Sequence, residues 1–445
     1  MSKKIMHFAL MGAFLGGFSA NALEFGKMGN RASTMGNAGV ALKGQYFGTY
    51  YNPALLGATN NVALALTTGF GVQQENVGRL ISGFKNITSL ADSFKSVNTS
   101  NPKSVRELYE KAKDLDDILT RNYINANANI GATFEFSPAF IRGVVGSFGA
   151  SYYSNLQIGA SVDLGSLPSD IVVKTSNNNY VALHSNGKTS SSDANAYKNT
   201  ALGKLQEQSQ YGDVKVYNFI FTEIPVSYSY TFYFLDSMLT IGANAKYQKA
   251  TFIQQGDTKN NSKDDVKISF PDTSDFTKSI TDLINKEGKS GFNADIGVLY
   301  GLDLPVVSGV NIGLVAKNII PQNYSFEKQK LIIKPQYRAG VAINQGIISA
   351  ALDVDLMPNE VIAFSSKKNL SQQIGTGVNI DLGIIDMRLG GFYDVRANSG
   401  IVLTGGLGLF GIIDAGVQVA TSADRFGQKP IPRYFSFQLE GGFRF

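Results

Sequence analysis

The sequence predicts an all-β fold, a fourteen-stranded antiparallel barrel that crosses a membrane, and three observations predict it. First, the last residues, Arg433 to Phe445, place Phe435, Phe437, Leu439, Phe443 and Phe445 on one parity. Tyr434, Ser436, Gln438, Glu440, Gly442 and Arg444 take the other. A period of two is a strand with one apolar and one polar face. Second, charged residues make up 17% of the chain, below the roughly 25% usual in soluble proteins, yet beyond the N-terminus no apolar run reaches the ~18 residues of a helical span. A chain that enters hydrocarbon without helices must close its sheet, because only closure satisfies every backbone donor and acceptor there. Third, the alternating segments are joined by connections that are by turns long and short, the asymmetry of membrane barrels.

Residues 1–22 have the order of a signal peptide, with Lys3 and Lys4 before an apolar stretch from Ile5 to Phe18, then Ala20-Asn21-Ala22 as a cleavage site. Removing the two lysines takes the formal charge from +5 to +3, too small an excess to draw nucleic acid. The absence of cysteine removes any lipid-anchored cysteine, disulfide or thiolate metal site. Residues 23–60 are glycine-rich and lack sustained alternation, holding MGNAGVA at 35–41 and YNPALLGA at 51–58. They are expected to form a compact irregular segment with tight turns, the Asn52-Pro53 pair favouring one of them.

The barrel is expected over 61–445. In its first strand Val62, Leu64, Leu66, Phe70 and Val72 oppose Ala63, Ala65, Thr67 and Gly69. In the second, Ile124, Ala126, Ala128, Ile130, Ala132, Phe134 and Phe136 alternate with Asn125, Asn127, Asn129, Gly131, Thr133 and Glu135. The third keeps one parity from Val144 to Leu164 with a polar interruption at Ser154-Asn155. The others are expected at 224–234, 238–253, 291–304, 309–318, 335–344, 346–356, 371–382, 385–396, 401–410, 411–420 and 433–445. An even count places both termini at the short-turn end, the periplasmic side, where Phe136, Phe234, Phe410 and Phe445 form an aromatic girdle. Pro225 cannot donate to a ladder and is expected near the outer rim.

The long connections 73–123, 165–213 and 254–290 carry helical spacing: Leu80, Phe84, Ile87 and Phe94, then Val105, Leu108, Ala112, Leu115 and Leu119, a weaker segment near 193–209, and Phe276, Ile280, Leu283 and Ile284. Such stripes bury against one another over the barrel mouth or offer a capture surface for a hydrophobic ligand, with Phe84, Ile87, Phe94 and Phe276 as its candidates. Ser154-Asn155 marks either a bulge or a lateral opening in the wall.

Taken together, the leader, MGNAGVA, NPA, fourteen strands and helical loops resemble the FadL-type family of outer-membrane transporters for hydrophobic compounds. In that family the N-terminal segment is a hatch inside the barrel, which the resemblance assigns here to Gly36, Gly39, Asn52, Pro53 and Ala54. VAKNII at 315–320, KPQYRAGVAI at 334–343 and DVDLMPNE at 353–360 resemble the plasmid conjugation TraF-like barrels. The terminal strand looks like the assembly signature of bacterial outer-membrane barrels, carried by Phe443 and Phe445. The expected setting is the outer membrane of a Gram-negative bacterium. The expected partners are outer-membrane lipid, hydrophobic small molecules such as long-chain fatty acids, and periplasmic chaperones with the barrel-assembly machinery; no nucleic acid is expected. The alternative role is a structural or assembly component of a conjugal transfer machine.

Enzymatic chemistry finds little support. Beyond the leader the one histidine is His184, near Ser185 and Asp193 in a polar loop with nothing to orient a triad. Asp264-Asp265 lacks calcium-loop spacing, so no catalytic, metal or cofactor site is expected. Asp353, Asp355, Asp386, Arg388, Asp394 and Arg396 fall on the lumen parity, as a charge ladder bonded across the interior or as a polar solute path.

Overall fold

A computed structural model describes residues 22–445 apart from 24–25, 60, 79–100, 121, 164–170, 176–178, 201–202, 204–212, 236, 260–285, 303–308, 327–329, 362–368, 398 and 427–428. The expected leader and the four capture candidates Phe84, Ile87, Phe94 and Phe276 lie outside the described residues, Ala22 excepted.

Fourteen antiparallel strands close into one barrel. They are β1 Asn61–Glu75, β2 Tyr123–Ser137, β3 Ser147–Asp163, β4 Asp213–Tyr233, β5 Ser237–Lys259, β6 Lys289–Leu302 and β7 Val310–Lys317. The second half comprises β8 Gln336–Gln345, β9 Ile348–Asp355, β10 Gln373–Asp381, β11 Ile385–Asp394, β12 Ile401–Leu409, β13 Ile413–Ala420 and β14 Tyr434–Arg444. Each pairs with its sequence neighbour, and β1 closes the circle on β14 from Ala63↔Arg444 to Gln73↔Tyr434. Leu64, Ile130 and Leu439 are exposed while Thr67, Glu135, Gln438 and Glu440 are buried, so the period of two sorts an apolar outer belt from a polar interior. Phe234, Phe410 and Phe445 stand exposed at the short-turn end.

Five expectations need correction. β4 starts at Asp213 rather than 224, because Tyr217, Phe219 and Phe221 are apolar on the inner face and break the expected polarity while keeping the strand. Pro225 lies mid-wall, not at the rim. It pairs with Lys246 on β5, and on its other side the β3–β4 ladder skips from Ala150↔Val226 to Tyr153↔Glu223, where the missing donor falls. Ser154 and Asn155 are paired on both sides, to Ile130 and Asn129 on β2 and to Thr222 and Phe221 on β4, so the wall is continuous there. In the loop expected at 165–213, three short strands, Ile171–Lys174, Tyr180–Leu183 and Thr189–Ser192, form a sheet before the short helix Ala194–Lys198. Finally, the two ends of the described residues are not at one end of the barrel: Phe445 bonds Val62 at the short-turn end, whereas Ala22–Leu23 run parallel to Asn359–Glu360 in a long-loop connection.

The helix expected from Val105, Leu108 and Ala112 is present at Pro102–Thr120, with those three side chains buried. Proline at its first position loses no bond, and the Asn101 side chain caps the amide of Lys103 at 3.0 Å.

Candidate functional site

Residues 26–59, the inner segment, occupy the lumen. Their order starts from conformations only certain residues allow. Gly36 has φ 69°, and a Cβ on it would overlap the carbonyl oxygens of Gly391 and Thr376. Its N–H donates to Thr404 Oγ1 (3.1 Å), which donates to the Thr34 carbonyl (2.7 Å), closing the end of α1, Asn30–Thr34, onto β12. A Cβ on Gly39 would stand 2.7 Å from the Tyr51 ring, and burial pushes the Tyr51 phenol up from its ordinary value, so it stays a neutral hydrogen-bonding group. Asn52 is extended and fully buried. Its amide donates to the carbonyls of Val40 (2.9 Å) and Val298 (3.2 Å) and accepts from Ala54 N–H (3.0 Å), starting the 3-10 turn Pro53–Ala58. Gly36, Gly39, Asn52, Pro53 and Ala54 therefore all lie in the lumen, packed against the wall.

The wall supplies the partners. Glu440 accepts from the Asn30 N–H at 2.7 Å, and Gln418 donates to the Ser33 carbonyl at 2.6 Å. Arg338 pairs with Asp355 at 2.6 Å and reaches the Asn37 carbonyl at 3.3 Å. Arg388 bonds both Asp414 and Asp386. The charged residues foreseen at 353, 355, 386 and 388 thus hold one another or the inner segment. Arg396 is exposed, and Asp394 accepts backbone N–H groups of the adjoining turns. A second buried network centres on Lys246, which bonds Glu223 (2.8 Å), Asp295 (2.7 Å) and Asn318 (2.7 Å).

On the long-loop side of the inner segment lies a cavity of about 110 Å³, floored by Gly26, Lys27, Met28 and Tyr50. One side of its wall is made of carboxamides, Asn127 and Asn129 of β2 with Asn155 and Gln157 of β3, and the next strand contributes Phe219 and Phe221. Tyr153, Glu223, Lys317, Asn318, Gln336 and Tyr434 are also among the lining residues. Both lysines have aromatic partners: Lys27 Nζ meets Tyr434 Oη at 2.5 Å, and Lys317 Nζ lies 3.5 Å from the centroid of Tyr50. Above the cavity β4 and β5 continue, and the hairpin Gln322–Ser325 with Lys330–Ile333 folds onto them. Tyr217, Phe219, Phe252, Tyr324 and Ile333 are buried together there, with Phe221 and Phe326 packed on them. The expected elements do not contain this aromatic cluster, since Tyr324 and Ile333 fall between the strands expected at 309–318 and 335–344, and Tyr217, Phe219 and Phe221 precede the one expected at 224; the alternation of those three is its signal in the sequence. His184 bonds Ser190 at 2.9 Å in a loop hairpin. Among the described residues no group of three or more metal-ligating side chains is clustered.

The model of the family described as the F plasmid transfer operon TraF protein matches residues 49–355. Solved structures similar in fold include the toluene transporter TbuX of Ralstonia pickettii, at 10% identity and TM-score 0.40 over 95% of this chain and 98% of that one. A mutant of the monoaromatic hydrocarbon channel TodX gives 8% and 0.44 over 93% and 97%, and the monoaromatic hydrocarbon channel CymD 10% and 0.42 over 95% and 98%. No curated protein matches the chain by sequence.

Proposed function

The chain belongs to the family of the F plasmid transfer operon TraF protein, and from that premise we propose that it works in the outer membrane of a Gram-negative bacterium, as a barrel that admits small hydrophobic compounds past a movable hatch, residues 26–59. The observation that carries this is the cavity resting on the inner segment below an aromatic cluster, with Phe219 shared by both. An apolar solute leaving water would partition onto the rings of the cluster and descend to Tyr50 and Tyr153. There it meets a floor joined to the wall by apolar packing and by polar bonds, such as Asn30 to Glu440 and Ser33 to Gln418, that water can replace when it opens. A cavity of about 110 Å³ suits a single ring or a short chain segment better than an entire long-chain fatty acid.

A chain without cysteine permits a direct test. Asn37 Nδ2 and Gln373 Oε1 are 3.2 Å apart across the seam. In the variant Asn37→Cys with Gln373→Cys, a short bis-methanethiosulfonate cross-linker should lock the hatch and stop uptake of a labelled alkylated aromatic, and reductant should restore it. Equal uptake with the bridge formed, checked by gel mobility, counts against transport. A second reading, a component of a conjugal transfer machine, is favoured by the family match. It predicts lost plasmid transfer in a deletion strain and full transfer by the locked variant.

A further inference from the structure

The cavity wall has a regular chemistry that follows from strand register. Residues directly opposite one another across four strands form two rows. One runs Gly69, Asn129, Asn155, Phe221; the other runs Gly71, Asn127, Gln157, Phe219. Each row therefore reads glycine, carboxamide, carboxamide, phenyl, and opposed side chains on one face sit about 5 Å apart. The glycines matter here: a Cβ at Gly71 would stand 2.9 Å from Asn127 Oδ1, and one at Gly69 would stand 3.3 Å from the Asn129 amide. The phenyls of Phe219 and Phe221 are parallel within 10°, with centroids 6.1 Å apart.

Three of these carboxamides, Asn129, Asn155 and Gln157, have a buried side-chain oxygen without a hydrogen-bond partner. An unmet buried polar atom costs free energy that a ligand group can recover. Charged groups around the cavity are already engaged: Glu223 with Lys246, Lys27 with Tyr434, Lys317 on the ring of Tyr50. We infer that the cavity is a binding site for a small neutral ring compound bearing a hydroxyl group, its flat face against Phe219 and Phe221 and its hydroxyl among Asn129, Asn155 and Gln157. The hydroxyl donates its one hydrogen to one of these three amide oxygens, and its own oxygen can accept from a carboxamide N–H. The volume, about 110 Å³, is of the order of the ~150 Å³ apolar cavity known to take benzene. Lys27 and Lys317 meet a phenol and a ring, which leave their charge in place, so a carboxylate is the competitor the experiment sets against the hydroxyl, and a plain hydrocarbon would leave all three amide oxygens unmet.

This inference deepens the transport reading by naming the class of compound, and binding tests it apart from uptake. Fluorine NMR of the full chain in nanodiscs, corrected for empty nanodiscs, should show 4-fluorophenol bound at least about tenfold more tightly than fluorobenzene or 4-fluorobenzoate. Asn129→Leu with Asn155→Leu should reduce that preference to about twofold or less, while heat-modifiable gel mobility reports an intact barrel. Should that pair fail to assemble, Gln157→Leu is expected to weaken the preference about threefold. Equal binding of fluorobenzene, tightest binding of the benzoate, or an unchanged preference in the assembled variants overturns the inference. Selective binding in a chain that transports nothing would leave the site standing and remove only the transport reading; uptake without selectivity would do the reverse.

Discussion

Asp353 and Gly39 lie 314 positions apart in the chain, and the Asp353 carboxylate accepts the Gly39 N–H at 2.8 Å and the next one, of Val40, at 2.9 Å from the same oxygen. Both residues of the contact are buried on the lumen side of β9. A carboxylate that gathers two successive backbone amides organises the loop bearing them, here the MGNAGVA turn. Its neighbour Asp355 is held by Arg338, which also reaches the Asn37 carbonyl, so adjacent inward positions of one strand grip one loop twice.

Replacing Asp353 by Ala removes two charge-assisted bonds, a loss on the order of 3 kcal/mol. The expected outcome is hydrogen exchange of the amides of Gly39 and Val40 about a hundredfold faster, with the strand amides of β9 unchanged. Unaltered protection at those two amides would mean that Asp353 does not hold the segment.

Gly36 has a positive φ and carbonyl oxygens where a side chain would start. Gly36→Val should prevent seating of the inner segment on β10 and β11 while the barrel still closes. Planar-bilayer recordings should then show conductance several-fold above that of the parent chain. Gly441→Ala, where the nearest atom to a new Cβ is 3.8 Å away, should leave conductance at the parent level.

Phe219 is shared by the aromatic cluster and the cavity. Truncating it to Ala should cost about 3 kcal/mol of local stability, visible as earlier protease cleavage in the 322–333 hairpin. Uptake of a labelled aromatic should fall at least fivefold. Tyr233→Ala, an exposed ring at the opposite end of the same strand, should leave uptake unchanged.

Phe445 and Val62 exchange two backbone bonds, of 2.9 and 3.0 Å, at the end of the β1–β14 seam. Deleting Phe445 should remove about 2 kcal/mol from the seam and lower the refolded yield, read from heat-modifiable mobility. Phe445→Ala keeps both bonds. It should refold like the parent chain in vitro; a lower level of folded protein in cells would then assign the ring to assembly, and an unchanged level would leave it without that role.

What the sequence determined by itself is the wall. Fourteen spans, their faces and their order follow from side chains taking alternate parity, apolar on the outer face of the wall and polar on the inner one; Ile130 and Asn129 are neighbours on opposite faces. The helix at 102–120 was legible for the same reason, as its stripe repeats every three or four residues. Only the tertiary structure decided how the inner segment is held in the lumen. Gly36 meets Gly391, Asn52 meets Val298 and Asp353 meets Gly39 because closing the barrel brings distant strands around one irregular segment. No local period records such pairings, since each depends on register accumulated over many strands. The cavity belongs to the same category: its amides were visible as inward residues of β2 and β3, but their apposition to Phe219 and Phe221 arises from pairing across the β3–β4 ladder and from a strand that continues beyond the wall.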